Sequence, residues 1–205
     1  MARGLLLGLL LCLALTGKPA MAIEEPKYKL SFKQGDIEIR DYQPAIAAEV
    51  TVAGERREAA NKGFRLLAGY IFGGNTRRQN IDMTAPVAQQ KASEKIAMTA
   101  PVTQTPEEGA WVIRFTMPSN YTLETLPEPI DPRVKLRKIA PARLAVIRFS
   151  GLAGAADVEA KTAELVAFTK ARHLRAIGPA SLAQYNPPWT PWFMRRNEVM
   201  IQVEN

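Results

Sequence analysis

Apolar and polar side chains alternate with a period of two from the first folded stretch of the chain. Tyr28-Lys29-Leu30-Ser31-Phe32 alternates, Gln34-Gly35-Asp36 turns, and Ile37-Glu38-Ile39-Arg40-Asp41-Tyr42 alternates again with Ile37 and Ile39 in phase. Pro44 interrupts, and Ala45 to Val52 forms a third strand with Ile46, Ala48, Val50 and Val52 on one side. The period then changes. Between Glu55 and Phe72, Ala60, Gly63, Phe64, Leu67, Tyr70 and Ile71 recur at three- and four-residue steps. That spacing makes one apolar stripe of a helix, with Gly73-Gly74-Asn75 as its stop. Arg57, Asn61 and Arg65 lie on a separate polar stripe. A strong strand follows at Trp111–Met117, then a proline-rich connector at Ser119–Pro132, a weaker strand at Val134–Ile139 and another at Leu144–Phe149. Asp157 opens a second helix from Val158 to His173, with Val158, Leu165, Phe168 and Leu174 inward. Gly178-Pro179 ends it, Ala183–Tyr185 is extended, and Val199–Val203 is the last strand.

The order strand, strand, helix, strand, strand thus occurs twice. Alternating strands with one helix per half predict an α+β domain in which the helices cover a twisted antiparallel sheet or an open barrel. Continuously apolar strands, the mark of parallel βαβ packing, are lacking.

Between the two halves of the pattern, Met-Thr-Ala-Pro-Val occurs twice, at Met83–Val87 and at Met98–Val102, with starts 15 residues apart. Proline fixes φ and drives the preceding residue toward extended geometry. Each copy reads as an edge strand that stops or bends at its proline, and Thr103–Gly109 reads as a polar loop.

Met1–Ala22 has the layout of a secretory signal: Arg3, an apolar run of 11 residues from Leu5 to Leu15, and the small-x-small triplet Ala20-Met21-Ala22. The run falls short of the roughly 20 residues that span a bilayer. The reading is cleavage before Ile23, a periplasmic or secreted protein without stable membrane insertion, and one domain over residues 23–205. A retained anchor helix is the alternative. Loss of Arg3 and Lys18 lowers the net charge from +7 to +5. Cys12, the one cysteine, leaves with the signal, and with it any disulfide, thiolate nucleophile or thiolate metal ligand. The remaining positive charge is spread out, with no basic helix interleaved with aromatics, which argues against nucleic acid as a partner.

Catalytic constellations are scarce. With His173 as the one histidine there is no zinc cluster, and no G-x-S-x-G elbow marks a nucleophilic serine. Gly73-Gly74 follows a helix, whereas a phosphate-binding loop follows a strand. A carboxylate-based hydrolase or isomerase is the residual enzymatic reading, and nothing marks its pair. The expectation is a binding protein and not an enzyme.

Several separated motifs agree with one family. Ile39-Arg40-Asp41-Tyr42-x-Pro44, Gly63-Phe64, Tyr70-Ile71-x-Gly73-x-Asn75, Met83-Thr84-Ala85-Pro86-Val87, Tyr185-Asn186-Pro187-Pro188 and Arg195-Arg196-Asn197-Glu198-Val199 occur in an order and spacing that resembles the SOUL haem-binding proteins. The resemblance runs from about Tyr28 to Val203. It implies a twisted antiparallel sheet or distorted β-barrel from two β-α-β-β halves, and tetrapyrrole binding in a surface groove beside the first helix.

Haem is a flat apolar disc with two propionates, so a binder offers apolar faces, cations and, optionally, an axial ligand. Arg57 and Arg65 are about 12 Å apart along a helix at 1.5 Å rise per residue. The resemblance places Arg57 at a propionate-pairing position and Arg65 at a second basic position, with Ala60 and Phe64 toward the ring between them. A further basic position of some members is Thr190 here. Trp189, with Trp192 and Phe193, either stacks on the macrocycle or plugs the end of the sheet. Histidine-ligated members carry His where this chain has Asp41. Met83 and Met98 are thioether candidates, though packing beneath its strand is the first reading for each, and His173 suits the helix C-terminus. The expected cofactor is haem or another porphyrin held without a strong axial bond, the metal ligand staying unknown. A carrier or scavenger is the first reading. A binding module for another amphipathic small molecule or lipid is the second.

Overall fold

The computed structural model describes residues 23–77 and 93–204. The alternating segments become strands: β1 Tyr28–Gln34, β2 Ile37–Tyr42, β3 Ala45–Ala53, β5 Val102–Glu107, β6 Ala110–Thr116, β8 Lys135–Ile139, β9 Ala142–Phe149, β10 Arg175–Gln184 and β11 Asn197–Glu204. The helices are α1, Arg56–Ile71, and α2, Ala155–Ala171. Two short strands, β4 Asn75–Thr76 and β7 Glu128–Pro129, pair on their own. The nine longer strands form one sheet in the order β1-β2-β9-β11-β10-β5-β6-β3-β8. Every pairing is antiparallel, and the sheet is left open with β1 and β8 at its edges.

The two halves are related by topology. In one, β3 leads to α1 and the β5–β6 hairpin, and β6 returns beside β3; in the other, β9 leads to α2 and the β10–β11 hairpin, and β11 returns beside β9. The hairpins meet where β5 pairs with β10. The leading strands are exchanged: β2 runs into β3 but pairs with β9, and β8 runs into β9 but pairs with β3. Neither half completes its sheet without the other.

Register puts both helices on one face. Ile113 lies opposite Gln104, Gln104 opposite Leu182, and Leu182 opposite Val199, so these four share a face. On it, Val50, Ile113 and Phe115 pack with Leu67, Tyr70 and Ile71 of α1, while Ala145, Ile147, Val199 and Ile201 pack with Leu165 of α2. The α1 stripe buries Ala59, Gly63, Leu67, Tyr70 and Ile71. Gly63 is the point of closest approach: a Cβ there would sit 2.5 Å from Ile113 Cγ1 and 3.2 Å from Val50 Cγ2.

Four sequence expectations need correction. Met98–Pro101 is not a strand. It is extended chain held by one bridge from Thr99 to Glu24 and by the Thr99 hydroxyl on the Thr116 carbonyl, with a cis bond before Pro101. The strand begins at Val102, where the copy ends. The supposed loop after it is the β5–β6 hairpin, turned by Glu108 and Gly109, both at positive φ as tight hairpins require. Pro106 is tolerated because β10 pairs only with Val102–Gln104, leaving the rest of β5 free on that side. Strand β10 is ten residues long, and its ladder is interrupted between Ile177 and Ser181, the stretch that holds Gly178-Pro179. Helix α2 starts at Ala155. Asp157 does not precede it but sits in its first turn and accepts the Gly154 N–H at 3.2 Å. The Met83–Val87 copy lies outside the described residues.

Candidate functional site

Helix α1 turns its buried stripe to β3 and β6 and leaves a flank in solvent. Residues 57 and 64 are seven apart, within about 20° of each other around a helix of 3.6 residues per turn. Ala60 lies between them in height and is half-buried, Phe64 is 38% exposed, and Arg57 and Arg65 are exposed. A methyl group between two long side chains lowers the surface there. The Phe64 ring is fixed from beneath by the edge of Phe115, with centroids 5.3 Å apart. The structure thus brings four of the expected residues, Arg57, Ala60, Phe64 and Arg65, onto one flank.

Arginine pairing sets this flank apart. Arg40, Arg77, Arg114, Arg133, Arg137, Arg143, Arg175 and Arg196 are in ion pairs. Arg56 and Arg195 donate to carbonyls, and Arg172 stacks on Phe32. Only Arg57, Arg65 and Arg148 have no side-chain partner among the described residues, and two of these three are on α1.

Trp189 stands apart from the flank, 81% exposed on the Pro187–Phe193 loop. That loop and the start of α1 border the same segment. The Gly151 N–H donates to the Trp192 carbonyl at 3.1 Å, and Arg56 donates to the Ala153 carbonyl at 2.9 Å. Arg56, unnoticed in the sequence, also reaches Gln104 at 3.3 Å, and burial lowers its pKa. Met83 lies outside the described residues; the described residues on either side of it, Arg77 and Ser93–Glu94, meet at the far end of α1. There Asn75 donates to the Tyr70 and Glu94 carbonyls and accepts the Glu94 N–H, and Arg77 pairs with Glu94 at 2.9 Å.

The ligand positions differ from one another. Asp41 is held by Arg143 at 2.7 Å and by the Ser31 hydroxyl, which keep its pKa below the ordinary value. His173 is exposed, just past α2, at φ +57°. Met98 is 38% exposed and so does not pack under a strand. Among the described residues no group of three or more His, Cys, Asp or Glu could hold a metal ion.

The opposite face of the sheet carries a network that sequence reasoning did not find. Charges alternate along it: Lys33–Glu38 at 2.8 Å, Glu38–Arg40 at 2.7 Å, Arg40–Glu198 at 2.8 Å, Glu198–Arg196 at 2.9 Å and Arg196–Glu25 at 2.9 Å. The Tyr185 hydroxyl donates to Glu198 at 2.6 Å, and Arg40 donates to the Tyr42 hydroxyl at 3.0 Å. Glu198 and Arg40 are buried. Burial alone would raise the Glu198 pKa, but the Arg40 and Tyr185 bonds and the Arg196 charge overcome it and hold it below 4.5. Burial and Glu198 push Tyr185 well above the usual phenol range, and burial takes Tyr42 to about 12. Arg40, Tyr42, Tyr185, Arg196 and Glu198 all belong to the separated motifs noted in the sequence. Each buried side-chain polar atom of the network has a hydrogen-bond partner.

The sequence profile of the SOUL heme-binding protein family matches residues 23–93 and 88–202. A search of curated protein sequences finds no match. Among solved structures, the C-terminal domain of EcmrR is similar at 7% identity and TM-score 0.60, covering 87% of this chain and 98% of that one. A structure described as a hydrolase from Listeria innocua is similar at 14% identity and TM-score 0.52, covering 85% and 94%. An uncharacterized conserved protein from the same organism gives 14% and 0.54, covering 82% and 92%. At these identities the likeness is one of fold.

Proposed function

The chain belongs to the SOUL heme-binding protein family, and from that premise we propose that it holds haem or a related tetrapyrrole against the exposed flank of α1. Its role is that of a carrier or scavenger, not an enzyme. Ala60 and Phe64 offer the apolar contact, and Arg57 and Arg65 pair with the propionates. Trp189 stands apart, on a loop that reaches the start of α1 through the Gly151–Ala153 segment. The observation that carries this reading is the pair of unpartnered guanidinium groups beside a partly exposed, ring-pinned phenylalanine, in a protein that pairs nearly all its other described arginines. A surface arginine that already has a carboxylate gains little from a propionate; a free one gains a charge-assisted bond. Asp41 is engaged by Arg143 and His173 stands past the end of α2, so we expect no strong axial bond and modest affinity. The leader-like residues 1–22 support export to the periplasm or beyond, where such a carrier meets free haem.

Titration with hemin tests the site. The parent protein gives a saturable Soret shift. Arg57→Glu with Arg65→Glu weakens it by about tenfold or more, since two attractive pairs become repulsive. An unchanged titration in that double variant removes the site. Saturable binding of fatty acids or apolar dyes with no hemin response transfers the flank to another amphipathic ligand.

A further inference from the structure

We propose that the end of the molecule formed by Leu152 and the Trp189–Met194 loop docks onto the surface of an anionic phospholipid bilayer. Large apolar side chains concentrate there. Trp189 is 81% exposed, and Leu152, Trp192, Phe193 and Met194 are exposed from 60% to 66%. These five lie together because the Gly151 N–H holds the Trp192 carbonyl and Trp192 lies edge-on to Phe193 at 5.7 Å.

The backbone of the loop is prepared for a medium without water. An inserted segment must satisfy its polar backbone internally, because lipid offers no partner. Pro187, Pro188 and Pro191 have no N–H to satisfy. The carbonyl of Pro187 accepts from the Thr190 N–H, that of Pro191 from the Met194 N–H, and that of Trp192 from the Gly151 and Arg195 N–H groups. The Arg195 guanidinium turns inward and donates to the carbonyls of Pro188 and Thr190. It fixes the loop as a rigid wedge with its aromatic side chains outward. Tryptophan favours the headgroup boundary, where its ring is apolar and its N–H stays wet.

Charge selects the kind of bilayer. From Ala176 to Asn197 the chain has two arginines and no acid, and the whole chain is at +7. Of the acids near the wedge, Asp157 is used on the Gly154 N–H and Glu164 on Lys161. Asp157 keeps its negative charge, so the pull of an anionic headgroup layer comes from the net positive charge of the chain. A protein partner is the lesser fit, because hot-spot aromatics rely on a polar rim for pairing, and the rim here is spent within the loop. The proposal does not depend on the haem site, although a bilayer is a store of amphipathic pigments such as haem.

The test uses the full chain and vesicles of phosphatidylcholine mixed with phosphatidylglycerol, without hemin. Tryptophan emission shifts to the blue, and lipids spin-labelled near the headgroup quench it. Trp192→Ser with Phe193→Ser lowers vesicle partitioning by about tenfold or more and leaves the α1 flank and its hemin titration intact, so loss of this proposal and loss of the haem site are told apart. Circular dichroism checks that the variant is folded. Emission unchanged by vesicles overturns the proposal. So does equal partitioning of the variant, which moves membrane affinity to another segment such as Leu5–Leu15. A shift seen only with a lipid-free protein extract assigns the surface to a protein instead.

Discussion

Replacing Glu198 by Gln removes one charge from the centre of the network on the sheet face away from the helices, and almost no volume. Glu198 accepts from Arg40 Nη1 at 2.8 Å and Nη2 at 3.0 Å, from the Tyr185 hydroxyl at 2.6 Å and from Arg196 Nε at 3.0 Å. A glutamine keeps one carbonyl acceptor and turns an NH2 toward the remaining donors. Arg40 is 3% exposed and would retain Glu38 at 2.7 Å. Breaking a buried pair from one side costs roughly 3–5 kcal/mol, because the other charge stays desolvated. The surviving Glu38 contact places Glu198→Gln near the lower limit, about 3 kcal/mol, a large part of the 5–15 kcal/mol typical of a domain. Arg40→Met costs a similar amount, since Arg196 and Tyr185 still hold Glu198. The double variant loses less than the two together, with a coupling of about 1–3 kcal/mol. Urea unfolding followed by far-ultraviolet circular dichroism gives all four corners of the cycle. A Glu198→Gln protein within about 0.5 kcal/mol of the parent, or an additive double variant, refutes the network's role.

Two glycines of α1 predict opposite signs. Gly63→Ala pushes a methyl to 2.5 Å from Ile113; overpacking at about 1–3 kcal/mol exceeds the gain in helix propensity of up to about 1 kcal/mol, so unfolding shifts to lower urea. Gly69→Ala meets nothing within 4 Å and shifts the midpoint upward by up to about 1 kcal/mol; equal effects at both positions would contradict the close approach. Acid should weaken the fold through Glu38 and Glu198, both held below 4.5. A depressed folded pKa contributes stability that is full above the unfolded value and is lost as pH falls through the folded one, so urea midpoints stay level above pH 4.5 and drop below it, with a flatter drop in Glu198→Gln.

Local periodicity explains how much of the fold was legible. β2 is found at its expected bounds, and β3, α1, β9 and β11 fall within a few residues of theirs: β2, β3 and α1 show their period directly, and β9 and β11, buried on both faces, show as short apolar runs. What failed had weak local signals. Thr103 to Glu107 is polar although Gln104 is buried, because Gln104 is hydrogen-bonded to Arg56 and Gln184 and the strand beyond it has no β10 neighbour. Arg175–Ser181 carries Gly178-Pro179, the usual stop signal, inside a strand interrupted at that point. On α1, Arg57 and Arg65 were legible from helical phase, whereas phase put Ala60 and Phe64 on the apolar stripe and only the structure shows Ala59 buried in their place and Phe64 exposed. The pairing of Arg40 with Glu198 was not legible, since they are 158 positions apart and only the exchanged strands bring them together.

That exchange separates what makes the family recognisable from what would bind its ligand. Motif residues Arg40, Tyr42, Tyr185, Arg196 and Glu198 sit on the face away from the helices, where β2 of one half meets β9 and β11 of the other. Gly63 sets the seat of α1 on the sheet, and Asn75 secures its exit. All of these fix the architecture, and each is expensive to change because it is buried or half-buried and tied to its neighbours by packing or hydrogen bonds. Arg57 and Arg65 hold only the outer side of α1, while Ala60 and Phe64 rest on the edge of the core beneath them. Substitution of the two arginines alters what the surface attracts at small cost to stability, so one fold can serve ligands of different chemistry. If the proposed site is right, a ligand assignment for this chain depends on the exposed flank of α1, however strongly the buried motifs match.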